Sequence, residues 1–453
     1  MPNRINRRSL LASSLAASAP IRALAAARQG GGYGVADAFV VGFPLFEFAR
    51  TAWAVAKPTP EDPGGAFNRV THRRRLTDPT SRIITTPNND CLVSTARIDL
   101  SMGPLLLDVP DIRDRYFSVV FMDAFTDNFF IVGTRKTGGR GGRFLLTPPG
   151  WRGRVPAATT QVEAPTIDLW LLARILIAGP AEYAKVNSLQ DRIQLSGLDG
   201  PPRASPLLVP PRDVNDPANF LEVVNAMLAR APTSDSRVLN AARFRHEGLR
   251  RGARGAFANL NADLQQQWRE TIPFELAALP DAGRDRRRQT NGWSYSLLST
   301  GQFGSDDLQR ALVALMGLAA LPPEEAFYAH ALVDAAGAPL DGSNAYRLRI
   351  PPGGPPVDAF WSLTVYQIES DGRLFLSPNP INRYSIGDRT EGLLWNADGS
   401  LDIIMQHTRP AGLMAQNWLP IPKGQFRPGL RAYLARPEFL DLRWAMPAVE
   451  RIA

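Results

Sequence analysis

Over residues 356–433 the chain alternates aromatic and β-branched runs with turn residues, a pattern that admits short antiparallel strands and leaves little room for helices. Val357-Asp358-Ala359-Phe360-Trp361-Ser362-Leu363-Thr364-Val365-Tyr366 is one such run. Asn379-Pro380, Asp398-Gly399 and Leu419-Pro420 punctuate the remainder of the stretch. Asn379 precedes a proline and is steered away from helix, while Arg383 carries a fork of donors suited to holding loop carbonyls. Proline is frequent throughout, 39 residues in 453, and each one removes a backbone donor that a long helix would need.

A second strand-rich region lies upstream. Ile83-Ile84-Thr85-Thr86 stops at the turn Pro87-Asn88-Asn89-Asp90, and short strands are expected near 93–99, 105–109, 116–122, 129–132 and 144–146. Residues 136–142 read as a Gly-rich hairpin loop. Strands this short at this spacing suggest a sandwich or barrel. Helices are expected over 33–55, with Glu47 and Arg50 on one face, over 166–177 with Asp168 in the first turn, and over 218–230, 238–248, 255–270 and 305–321. Ser305 serves as the N-cap of the last, and the charged run 281–288 reads as solvated. The fold class is therefore mainly β with a helical connector, an α+β multidomain chain. A β-rich domain over 33–195 has a barrel-like or sandwich-like character, a connector covers 196–335 and a β-sandwich covers 336–453.

The net charge is +8, which falls to +4 without Arg4, Arg7, Arg8 and Arg22 of the first 25 residues, too mild a balance to argue for nucleic acid. Cys91 is the single cysteine, so neither an intramolecular disulfide nor a cysteine metal cluster can form. Arg7-Arg8 precedes a weakly apolar run over 10–19, and Ala23-Leu24-Ala25 supplies small residues for cleavage. This pattern resembles a twin-arginine export signal over 1–25; the competing reading is a disordered basic tail. Export implies a periplasmic protein, with no transmembrane segment expected in the mature chain. Oligomerisation stays open.

The histidines His72, His246, His330 and His407 are scattered singly, so no metal site is assigned and the cofactor is unknown. The run Asn396-Ala397-Asp398-Gly399-Ser400-Leu401-Asp402 has the oxygens of a calcium loop, but His407 stands where that loop needs its bidentate glutamate, and a hairpin turn is the better reading. A nucleophile elbow is absent, and Asp90 beside Cys91 opposes thiolate formation. Carboxylates near strand ends are the stronger catalytic candidates, namely Asp90 and Asp123, with Arg115 and Arg135 close in sequence. Aromatic groups in the second β region exceed what a core needs, which makes Trp361, Tyr366, Tyr384 and Trp418, with Arg383, the ligand-binding candidates.

Two blocks of residues carry a family resemblance. The first is Pro87-Asn88-Asn89-Asp90, Asp99-Leu100-Ser101, Gly103-Pro104, Val109-Pro110-Asp111, Arg115-Tyr116, Asp123 and Gly133-Thr134-Arg135; the second is the stretch 356–433. The chain resembles the bacterial proteins that join domain of unknown function 1254 to domain of unknown function 1214. It departs from them at Cys91-Leu92-Val93, where the family has Thr-x-Tyr. The resemblance implies a β-rich N-terminal domain, a helical connection and a jelly-roll-like C-terminal sandwich, and no established reaction. Two functions are carried forward. One is a hydrolase or lyase acting on a small molecule or glycan in a pocket lined by both β domains. The other is a non-catalytic envelope module that binds a glycan or a lipid headgroup.

Overall fold

The computed structural model describes residues 34–57, 59, 65–82, 85–205, 209–370 and 372–452. The export segment over 1–25, Tyr33 and the Ile83-Ile84 part of the first expected strand lie outside these residues. Among the described residues, twenty strands form four sheets.

The first sandwich contains β1 (Thr71–His72), β2 (Cys91–Asp99), β3 (Leu105–Val109), β4 (Phe117–Asp123), β5 (Asn128–Gly133), β6 (Gly142–Thr147), β7 (Thr160–Glu163), β8 (Asp168–Leu176) and β9 (Gln194–Gly197). One sheet has the order β1-β2-β8-β4-β5 and the other β7-β6-β3-β9. Leu92, Phe117, Phe121, Leu171 and Ile175 of the first meet Leu105, Leu107 and Leu146 of the second in one core. The expected helix over 166–177 is instead β8, the central strand between β2 and β4. Leu169, Leu171, Ala173 and Ile175 enter the sandwich core, while Trp170 and Leu176 are covered from the other side by neighbouring clusters. Burial on both faces gives the continuous apolar run 169–173, whose period does not separate strand from helix.

The helices form a layer beside this sandwich. They begin with α1 (Val35–Ala56), which continues through Pro44 and keeps the expected Arg50–Glu47 pair, with Nε to Oε1 at 2.8 Å. By length and composition α1 is able to cross a membrane, but here most of it is buried as a core helix. The reading of 136–142 as one loop is corrected at its start, where α2 (Thr134–Thr137) makes a helical turn; α3 (Tyr183–Asp191) follows β8. Next come α4 (Pro217–Ala229), α5 (Ser236–Ala241), α6 (Ala262–Arg286) and α7 (Asp307–Gly317). The helix expected over 238–248 is shorter than that, and 255–270 and 281–288 are spanned largely by the one helix α6, which runs through Pro273 and Pro280. Asp306 rather than Ser305 caps α7, accepting the Gln309 N–H. Phe39 and Phe46 of α1, Phe220 of α4, Trp268 of α6 and Leu312 of α7 share a core.

The second sandwich contains β10 (Arg288–Thr290), β11 (Trp293–Tyr295), β12 (Ala326–Ala331), β13 (Ala345–Ile350), β14 (Val357–Ile368), β15 (Leu374–Phe375), β16 (Ser385–Gly387), β17 (Leu401–Gln406), β18 (Trp418–Pro420), β19 (Phe426–Ala435) and β20 (Glu450–Ile452), with α8 (Pro437–Leu440) after β19. A seven-stranded sheet, β10-β11-β12-β19-β14-β15 with β16 on β14, faces the sheet β18-β17-β13-β20. Strands from within 288–331 thus complete the C-terminal sheet, so the connector ends well before residue 335.

Candidate ligand-binding site

Residues opposite each other across antiparallel strands point to the same face. In the seven-stranded sheet, Leu363, Leu430, Ala432 and Phe327 fill the sandwich core. The alternate residues Ser362, Thr364 and Tyr366 of β14, Arg431 and Tyr433 of β19, and Tyr328 and His330 of β12 form the other face. That face is largely polar, and it is met by the turn over 86–90 and by one end of the first sandwich's outer face, at Cys91 of β2, Val120 of β4 and Leu176 of β8; the rest of that outer face packs on the helices. A small apolar cluster, Cys91, Tyr116, Val120 and Ile131 with Phe360, Tyr433 and Leu434, holds the two together.

Around this cluster the hydrogen bonds cross the seam. Asn88 Oδ1 accepts the N–H groups of Asp90 and Cys91 at 2.8 and 2.9 Å, and its Nδ2 donates to the Tyr433 hydroxyl at 2.7 Å. Tyr366 donates its hydroxyl to the Pro87 carbonyl at 3.0 Å, and Arg431 donates to the Tyr366 oxygen and, at 2.6 Å, to the Thr86 carbonyl. Glu325 accepts from Tyr116 and from Arg135 Nε, each at 2.8 Å. Gly429 makes room for two rings at once: a Cβ there would lie 3.0 Å from His330 Cε1 and 3.2 Å from Tyr366 Cε2.

Asp90 and Arg389 occupy the point where the seam meets solvent. Asp90 is 4% exposed, whereas the Arg389 side chain is 27% exposed and lies over the Phe360 ring with 4.1 Å from Cζ to the centroid. Arg389 faces Asp90 at 3.6 Å and Asp388 at 3.7 Å, both longer than hydrogen bonds. Asp90 Oδ2, Arg389 Nε and Ser362 Oγ are buried atoms without a hydrogen-bond partner among the described residues. These are acceptors and donors in one neighbourhood, a combination that a hydroxyl group, itself both donor and acceptor, can satisfy.

The electrostatics restrict the chemistry. The Cys91 thiol is pushed up to about 12, first by burial and then by Asp90, so no thiolate forms near neutral pH. His330 is pushed down to about 3 by burial and by Arg427, Arg287 and Arg431, which leaves the ring neutral. Burial raises Tyr116, Tyr366 and Tyr433, so they remain phenols. Asp388 is raised to about 6, chiefly by burial, in the range where a carboxylate exchanges protons with neutral water.

The candidates from sequence divide among several places. Asp90, Arg135 and Tyr366 reach the seam. Asp123 does not: it accepts from Arg237 Nη1 at 2.6 Å, within a cluster that includes Asp127, Asp235 and Arg310 and ties the sandwich to α5 and α7. Arg115 turns to Glu182 and Asp114 on the rim. Trp361 and Trp418 are buried, and the Trp418 indole donates to the Gln406 carbonyl at 2.8 Å, so neither lines an open groove. Arg383 holds the carbonyls of Gln416 and Trp418, at 2.8 and 3.0 Å, and the Tyr384 hydroxyl donates to Asn382. Sequence reasoning missed Glu325, Arg389 and Arg431. The alternation Gly429, Arg431, Tyr433 was the signal that could have found the last.

Residues 67–197 match the family described as "Protein of unknown function (DUF1254)", and residues 325–437 match "Protein of unknown function (DUF1214)". No curated protein matches. Among solved structures, the VPA0106 protein from Vibrio parahaemolyticus is 23% identical with a TM-score of 0.72, over 92% of this chain and 99% of that one. It shows the same fold. An uncharacterised protein from Burkholderia cenocepacia is 15% identical with a TM-score of 0.46, over 90% of this chain and 87% of its own.

Proposed function

For this chain, which belongs to the proteins joining an N-terminal DUF1254 domain to a C-terminal DUF1214 domain, we propose that the seam between the sandwiches binds a small hydroxyl-bearing molecule. The observation that carries this reading is the Arg389 guanidinium. It is held on Phe360 between two carboxylates, near enough for charge attraction and too far for direct hydrogen bonds. A ligand hydroxyl inserted there would accept from Arg389 and donate to Asp90. Two carboxylates to one guanidinium favour a neutral polyol over a phosphate or sulfate.

Thermal-shift measurements on the full chain with a panel of small polyols, hydroxy acids and monosaccharides test the reading. A binder is expected to raise the melting temperature of the wild type, and Arg389→Ala and Asp90→Asn are expected to abolish that rise. An unchanged ligand response in both variants would refute it.

A second reading has its own observation. Asp388 at the mouth, raised to about 6, is suited to act as the general base of a hydrolase or lyase on the same ligand. In that case turnover falls in Asp388→Asn while binding persists.

Export through residues 1–25 belongs to the proposal and rests on Arg7-Arg8 before an apolar run. Replacing both arginines by lysine is expected to leave the precursor in the cytoplasm on fractionation; an unchanged periplasmic yield would contradict export.

A further inference from the structure

At an edge of the first sandwich, away from the seam, lies a cleft of about 480 Å³ lined by Trp151, Arg152, Gly153, Gln161 and Glu163. Such a volume falls within the range of small-molecule sites. The sequence builds the cleft from β7, the edge strand of its sheet, and the loop that leads into it. Val162 points into the core, so Gln161 and Glu163 on either side of it point outward. Glu163 Oε1 accepts the Gly150 N–H at 2.8 Å, which fixes it against the loop, and Gln161 Nε2 donates to Thr147 Oγ1 at the end of β6 at 3.3 Å. A turn from the Trp151 N–H to the Pro148 carbonyl, at 3.2 Å, brings the indole back over the loop. There it lies on Gly153, where a Cβ would come within 2.1 Å of the ring carbon Cζ2.

We infer that this cleft is a saccharide-binding site, in which the Trp151 ring takes the apolar flank of a neutral sugar and Arg152, Gln161 and Glu163 hydrogen-bond its hydroxyls. Three features select this ligand class. A single indole offers a flat apolar face with a polar edge, which matches a sugar ring bearing hydroxyls around an apolar side. Glu163 bonds the loop through Oε1, which leaves Oε2 as an acceptor for a ligand. Arg152, which donates from Nη1 to the Trp151 carbonyl at 3.3 Å, has further N–H groups to offer. One acid and one base keep the cleft near neutrality, which disfavours sulfated or phosphorylated ligands. The site is independent of the seam: it lies on the sheet β7-β6-β3-β9, whereas the seam is made by the turn over 86–90 and by Cys91, Val120 and Leu176 of the other sheet.

The test is calorimetric titration of the full chain with short neutral gluco-, xylo- and chito-oligosaccharides. At least one series is expected to bind, and Trp151→Ala to weaken that binding about tenfold or more. Trp151→Phe should retain part of the affinity. Gly153→Ala, which pushes the indole out of place, should lower affinity without lowering the melting temperature. Arg389→Ala should leave the titration unchanged, which separates this site from the seam. The inference is overturned if no series binds, if binding survives Trp151→Ala, or if Arg389→Ala removes it equally.

Discussion

Asp123 is 1% exposed, and burial pushes its carboxyl up to about 6, with Asp127 adding to the rise and Arg237 opposing it. A carboxyl raised in the folded state favours the protonated form there. Its contribution to stability is fully present below about pH 4, the ordinary aspartate value, and is lost as pH rises through about 6. Asp123→Asn removes this titration. The stability of the variant relative to wild type is therefore expected to improve between pH 4 and pH 7, by on the order of 2–3 kcal/mol, in urea unfolding at the two pH values. A pH-independent difference would show that Asp123 is ionised throughout. Asp123 stands at a strand end, which is why the sequence makes it look catalytic. Its partner Arg237 lies 114 residues away, and nothing local in the sequence reveals that pairing. Cys91 was more legible, because the adjacent Asp90 already argues against a thiolate and burial acts in the same direction.

The turn Pro87-Asn88-Asn89-Asp90 shows how one element sets the relation between two domains. Asn88 caps the turn through two backbone N–H groups and spends its amide on Tyr433 of the other sandwich. Asn88→Ala leaves those donors and a buried phenol without their partner. A loss of about 2–3 kcal/mol is expected in urea unfolding, from two or three hydrogen bonds at roughly 1 kcal/mol each. A loss below about 0.5 kcal/mol, the size of an ordinary surface change, would mean that the turn does not join the domains. Most strands were readable because alternation and turn residues agreed. β8 was not, since being central and covered on both faces erases the alternation. The aromatic groups of β14 and β18 misled for a related reason. Trp361 lies in the sandwich core and Trp418 is buried within its own sheet, while Tyr366 does face away from the core, onto a side that the first sandwich covers.

At the scale of the whole molecule, two sandwiches share a polar seam while a helical layer braces the first through Asp123, Asp127, Arg237 and Arg310. The two-domain plan and the helical region were legible from composition and turn spacing. The assignment of β10, β11 and β12 to the C-terminal sheet was not, because those strands are short and follow a long helix. The central claim is that the seam holds Arg389 and Asp90 apart for a ligand. Its most direct test is a high-resolution crystal structure of the full chain soaked with the polyol or monosaccharide that gives the largest thermal shift. The expected result is a ligand oxygen within hydrogen-bond distance, roughly 3 Å, of both Arg389 Nε and Asp90 Oδ2. The contradicting result is a guanidinium closed directly onto Asp90 and Asp388, with the ligand bound elsewhere.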